Sequence, residues 1–289
     1  MNQELEALLQ DMPAGLQDAC VQGFSLLLVK QSWGELVIAR QGAQVLHYRP
    51  AGAAPVLWLS DCLKPAPAPL RGGIPLCWPW FAAHPSDASR PFHGLARTAL
   101  WDISVQQNTD DGLSLSLKPC ETLVAEVEVA VQVKANQRAL QVSLETCNGT
   151  ASPLELTQAL HSYLAVSDLS QVVLEGLQGC SYRDKLRQGA ESHQHDALTI
   201  TEPTDRIYFH DSVTQVQDTG WKRCLGITKS GSGSTVVWNP GAAARDMADI
   251  GLAQQPGFVC IEAANTCLDS VQLQPGQRHC IGTTLSIME

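Results

Sequence analysis

Three consecutive stretches of this chain alternate apolar and polar residues with a period of two, and that pattern fixes the class of fold before anything else is read. Val127, Val129, Val131 and Val133 interleave with Glu128, Ala130 and Gln132. Leu113, Leu115 and Leu117 interleave with Ser114, Ser116 and Lys118, and Leu140, Val142 and Leu144 with Gln141, Ser143 and Glu145. Successive side chains of a strand point to opposite faces, so each stretch reads as a strand with one face buried and the other solvated. Asp111-Gly112 and Asn148-Gly149 place residues that tolerate positive φ at the reversals, which predicts consecutive antiparallel strands.

Shorter β-rich runs follow at Val172 to Leu174, Thr235 to Trp238, Phe258 to Ile261 and Leu285 to Ile287. Leu5, Leu8 and Leu9 predict a short N-terminal helix, and residues 242–250 after Asn239-Pro240-Gly241 a second one. Parallel strands need crossover helices, and none of sufficient length is evident, so the expected fold is all-β, a large antiparallel sandwich or barrel. Lys64-Pro65-Ala66-Pro67-Ala68-Pro69 is expected to cross the surface in extended polyproline geometry. No repeat and no linker interrupts the pattern, so residues 1–289 are expected to form one domain.

The 29 acidic and 19 basic residues leave a formal charge of −10, which argues against nonspecific binding to nucleic acid; any anion must meet a local basic pocket. No apolar run approaches the roughly 18 residues of a membrane span. The opening MNQELEALLQD carries Glu4, Glu6 and Asp11 where a signal peptide carries Lys or Arg, so a cytoplasmic location is expected, with no membrane partner. Ten scattered cysteines without a CxxC pair are expected to be buried thiols in a reducing compartment.

Chemistry concentrates in a few segments. Arg71-Gly-Gly-Ile-Pro-Leu-Cys-Trp-Pro-Trp-Phe81 is too interrupted for a central strand, yet sets aromatics beside an arginine. Sugars offer an apolar ring face to aromatics and oxyanions to a guanidinium fork; a core-plugging loop with a surface arginine is the equal alternative. Phe92-His93-Gly94-Leu95-Ala96-Arg97 adds a second arginine and a histidine. His161 lies in an apolar segment, and Glu262 ends the strongly apolar Gly257-Phe-Val-Cys-Ile-Glu262. A buried carboxylate is costly unless compensated, so Glu262 is either a strand-end group emerging into solvent or a functional one. A histidine and a glutamate suffice for paired acid and base catalysis. His193-Gln194-His195 reads as an exposed polar loop rather than a metal site, Gly231-Ser-Gly-Ser234 lacks the lysine of a phosphate loop, and no GxSxG occurs.

Taken together, these segments resemble the hexose-6-phosphate mutarotases, or glucose-6-phosphate 1-epimerases, of the aldose 1-epimerase superfamily. The matching blocks are Arg71 to Phe81, His93-Gly-Leu-Ala-Arg97, Ala159-Leu-His-Ser-Tyr163 with Val166-Ser-Asp168, Thr204-Asp-Arg-Ile-Tyr208, Val237-Trp-Asn-Pro240 and Val259-Cys-Ile-Glu262, and they span most of the chain. The resemblance implies an antiparallel β-sandwich of the galactose mutarotase type, with the sugar in a cleft on one concave face. It implies His161 as general acid, Glu262 as general base, His93 and Asp205 as holders of sugar hydroxyls, and Arg71 and Arg97 as phosphate ligands, with Lys185 a further phosphate contact. The substrate implied is a hexose 6-phosphate; no metal, nucleotide or other cofactor is needed, and the chain is expected to act as a monomer. Leu95 stands where the family usually has Phe, and Ala82 where Gly commonly follows the Phe.

The implied reaction is ring opening. Glu262 takes the proton of the anomeric hydroxyl while protonated His161 gives one to the ring oxygen, and reversal after rotation closes the other anomer. Two further readings are a noncatalytic sugar-phosphate-binding sandwich, since binding needs only the arginine and aromatic sets, and a metal-dependent sugar isomerase drawing on His193 and His195. Anomer exchange separates the first from the mutarotase, and metal analysis the second.

Overall fold

The computed structural model describes residues 3–288. Two eight-stranded antiparallel sheets dominate it. One runs, in spatial order, Val172–Glu175, Thr214–Asp218, Arg223–Ser230, Arg278–Met288, Ala139–Asn148, Val127–Ala135, Gly112–Pro119 and Trp101–Thr109. The three alternating stretches are consecutive neighbours here: Val131 lies opposite Leu117 on one side and Leu144 on the other, so their apolar residues share one face.

The second sheet runs Ala190–His193, Ser181–Asp184, Thr204–Phe209, Ser234–Asn239, Phe258–Asn265, Gln158–Leu160 and Leu76–Cys77, with Tyr163–Ala165 also paired to Phe258–Asn265. One face of it, with Leu160, Leu164, Val237, Val259 and Ile261, closes on Leu115, Val131, Val133, Val142 and Leu144 of the first sheet to form the main core. Burying each such side chain contributes about 1.5–3 kcal/mol. The opposite face carries the cleft. Phe258–Asn265 is therefore buried along its whole length, which explains why its sequence is nearly continuous in apolar residues rather than alternating.

A four-stranded meander, Gly15–Val21, Phe24–Gln31, Gly34–Ala39 and Gln44–Pro50, packs against the N-terminal helix Gln3–Asp11, whose Leu5 and Leu9 are buried as their spacing predicts. Residues 242–250 do not form an α-helix. They give a 3-10 helix, Gly241–Asp246, and the next α-helical turn begins only at Gly251, because positive φ at Gly241 and Gly251 breaks the helical path at both ends. The proline-rich stretch turns instead of extending, with the Ala68 N–H donating to the Pro65 carbonyl at 3.1 Å. The cysteines also depart from expectation. All ten are free thiols, but only Cys77 and Cys260 are buried; Cys147, Cys180 and Cys224 are half-buried, Cys180 against the main core, and the other five are exposed. Among the described residues no helix is long and apolar enough to cross a membrane.

Candidate active site

Strand register builds the site. Leu160 pairs with Ala263 and Tyr163 with Cys260, and the same register continued through the two residues between them sets His161 opposite Glu262. Directly opposed residues share a face, so both side chains project from the face away from the main core. On the other side Glu262 pairs with Val236, while Cys260 pairs with Trp238 and Trp238 with Asp205. Two adjacent rows of side chains thus run across the sheet, one carrying His161 and Glu262, the other Tyr163, Trp238 and Asp205. Glu262 does not end its strand, which continues to Asn265; it is 1% exposed in mid-sheet.

A cleft of about 430 Å³ opens over these rows, lined by every site residue expected from the sequence: Arg71, His93, Arg97, His161, Asp205 and Glu262. His161 Nδ1 lies 3.4 Å from Glu262 Oε1, yet neither Nδ1 nor Glu262 Oε2 has a hydrogen-bond partner. Unpaired buried polar atoms are uncommon in native proteins, and here they belong to two residues that line the cleft. Burial, reinforced by the positive charges of Arg71 and Arg97 and by His93, holds the His161 imidazole well below its ordinary range. Burial and the neighbouring Asp205 carboxylate push Glu262 well above the carboxylate range, against the opposing pull of Lys185. Desolvation thus works against the charged form of both groups.

Arg71 is held on two edges. Its Nε–H donates to Asp249 Oδ2 at 3.0 Å and Nη1–H to the Tyr163 hydroxyl at 2.9 Å, which leaves Nη2 free for a ligand. Arg97 has no hydrogen-bond or ion-pair partner among the described residues and is half-buried, its partial burial lowering its pKa. Lys185 pairs with Asp205 at 3.2 Å and lies over the Phe81 ring, while Lys64 reaches the rim. Four cations and three acidic groups thus meet in one cleft of a chain whose overall charge is −10.

His93 closes the neck of the loop that begins at Ala82. Its N–H donates to the Ala82 carbonyl at 2.7 Å, and its Nδ1 accepts from the Ala82 N–H at 3.0 Å. Burial and the charges of Arg97, Lys185 and Arg71 hold its pKa down to about 3, so the ring is neutral with its proton on Nε2. Ala82 and His93 both have left-handed backbones, at φ 65 and 67. This explains why glycine suits the position of Ala82, since a Cβ is disfavoured there.

The aromatic loop divides its labour. Trp78 is buried in the core with its indole N–H on Thr146, and the Trp80 N–H donates to the Pro91 carbonyl; of the loop's three aromatic side chains, Phe81 lines the cleft. The aromatic walls come instead from Tyr163, Trp238 and Phe92. Tyr163 and Trp238 stand in the matching blocks with no role assigned, and Asp249 leaves no sequence signal because it lies in an irregular loop. His193 and His195 lie outside the cleft with ring centroids 5.4 Å apart, and among the described residues no group of three His, Cys, Asp or Glu side chains is placed to hold a metal ion.

The chain is similar to known proteins in sequence and in fold. Residues 25–286 match the family model for aldose 1-epimerase. A protein of Escherichia coli (strain K12) named "Putative glucose-6-phosphate 1-epimerase" is 30% identical over 259 residues, covering 83% of this chain and 82% of that one. One of Salmonella typhimurium with the same name is 32% identical over 257 residues, 82% of each. The crystal structure of "a putative mutarotase (YeaD)" from Salmonella typhimurium superposes with a TM-score of 0.89 at 25% identity over 99% of both chains. The antiparallel sandwich is thus of the galactose mutarotase type, and the chain belongs to the aldose 1-epimerase family.

Proposed function

We propose that this epimerase interconverts the α and β anomers of a hexose 6-phosphate, glucose 6-phosphate foremost. The observation that carries the reading is the half-buried guanidinium of Arg97, unpaired among the described residues, together with the tethered Arg71 in the same cleft as His161 and Glu262. Leaving a cation unpaired in such surroundings is costly unless a ligand supplies the counter-charge, and a phosphate dianion matches the guanidinium fork.

The proton inventory follows from the pair. Glu262 and His161 share one proton. An anomeric hydroxyl donating to Glu262 and a ring oxygen accepting from His161 restore hydrogen bonds to the charged forms and so favour imidazolium and carboxylate. Glu262 then removes the hydroxyl proton as His161 protonates the ring oxygen, and the bond between C1 and the ring oxygen breaks to give the open aldehyde. Rotation about C1–C2 and the reverse transfers close the opposite anomer. Each positioned transfer is worth about 10² to 10⁴ in rate. His93, through Nε2–H, and Asp205 hold ring hydroxyls, with Lys185 offsetting the charge of Asp205. The test is anomer exchange by NMR on glucose 6-phosphate beside glucose: kcat/KM at least roughly tenfold higher for the phosphate supports the reading, and equal values refute it.

A further inference from the structure

Tyr163 belongs to neither the acid–base pair nor the arginine set, yet touches both. Its ring is parallel to the His161 imidazole within 5°, centroids 4.7 Å apart, and its hydroxyl oxygen accepts the Arg71 Nη1–H at 2.9 Å. The ring has little freedom. It is 2% exposed and wedged among Trp58, Phe258 and Trp238, at centroid distances of 5.7, 5.4 and 6.0 Å. Trp238 and His93 also stand edge-on to His161, at 6.0 and 5.9 Å, so the imidazole is held between one ring face and two edges. The backbone repeats the connection, since Tyr163 N–H donates to the Gly73 carbonyl and His161 N–H to that of Pro75, both on the loop that carries Arg71.

The chemistry of the contact is selective. Asp249 already sets one negative charge against the Nε edge of Arg71, and a second carboxylate at Nη1 would cancel the attraction for an anion. A neutral phenol orients the guanidinium without neutralising it, and burial raises the Tyr163 hydroxyl further from ionisation. The phenol's own proton has no acceptor among the described residues, which leaves it available to a ligand oxygen beside Arg71.

We propose that Tyr163 is a positioning residue that ties phosphate recognition to proton transfer, its hydroxyl aiming Arg71 and its ring face setting the plane of His161. The proposal rests on the sugar-phosphate reading of the cleft and separates into two arms. Removing the oxygen alone loosens the arginine but preserves the stack. Removing the aromatic ring disturbs the imidazole as well.

Steady-state anomer exchange on Tyr163→Phe and Tyr163→Met tests both arms. For Y163F the expected result is a KM for glucose 6-phosphate raised roughly 5- to 20-fold with kcat within about twofold of the parent, and a matching rise in the inhibition constant of inorganic phosphate. For Y163M kcat falls roughly 10- to 100-fold, because small displacements of a proton donor are expensive in rate. Unchanged KM and phosphate inhibition in Y163F, or a kcat loss in Y163F equal to that in Y163M, overturns the proposal, as does full kcat in Y163M. Thermal melting checks that Y163M folds, and Y163F, which lacks only one oxygen, decides the hydroxyl arm regardless. The parent measured on glucose and glucose 6-phosphate keeps the two ideas apart. No phosphate preference in the parent removes the sugar-phosphate reading, whereas a preference that Y163F retains in full removes only the role of Tyr163.

Discussion

His161 and Glu262 are 101 positions apart in sequence and directly opposite each other in the sheet, with Nδ1 and Oε1 3.4 Å apart at the floor of one cleft. Register, rather than loop conformation, makes this meeting. A one-residue slip of either strand would send one of the two side chains to the opposite face, into the main core.

The first prediction concerns pH. If His161 and Glu262 act as the proposed acid–base pair with one proton between them, activity falls when His161 takes a second and when Glu262 loses its own. Burial places the first event below the ordinary 6.5 of an imidazole and the second above the ordinary 4.5 of a carboxyl. The kcat/KM profile on glucose is therefore bell-shaped, with its acid limb below pH 6.5. Glucose is the cleaner probe because a phosphate monoester itself titrates near pH ~6. A profile flat across the whole range of folding disagrees with the assignment.

The arginines should separate binding from turnover. Arg97→Ala removes the unpaired cation, and a hydrogen bond to a charged group is worth about 1.5–3 kcal/mol, roughly 10- to 150-fold. That loss is expected in KM for glucose 6-phosphate, with a smaller change in kcat, because the phosphate does not react. Kinetics in which kcat alone collapses place Arg97 in the chemistry instead.

Gly94 supports the site from behind. It adopts φ 82, and a Cβ there meets the Trp78 carbonyl oxygen at 2.0 Å. Trp78 forms a parallel bridge with Gly94, which fixes where His93 and Arg97 emerge. Gly94→Ala is expected to lower stability by about 3 kcal/mol or more. Chemical denaturation measures this directly, and a midpoint equal to the parent's contradicts the packing described.

Much of this was legible in the sequence, and the reasons differ by residue. The strands around Val131 announce themselves because one face is wet and the other dry. Phe258–Asn265 is dry on both faces, so periodicity alone does not orient Glu262, and the carboxylate looks like a strand end when it stands in mid-sheet. Arg71, His93 and Arg97 stand out in the sequence as two arginines and a histidine around an aromatic loop, whereas Asp205, and the roles of all four, come only with the family resemblance. Trp78 and Trp80 illustrate the limit of composition, since an aromatic loop beside an arginine suggests sugar contacts while both indoles serve packing and backbone hydrogen bonds. Asp249 and the double role of Tyr163 are set by tertiary contacts, which a single sequence does not encode locally. The directions in which burial pushes the two ionisations are likewise set by tertiary packing.

The most direct test of the central claim is a double-mutant cycle on anomer exchange, with His161→Asn, Glu262→Gln and the two combined, each checked for folding. If the two side chains act as one proton-transfer unit, each single variant loses about as much catalysis as the double variant, roughly 10² to 10⁴-fold. Losses that multiply independently, or either single variant retaining the parental rate, contradict the account.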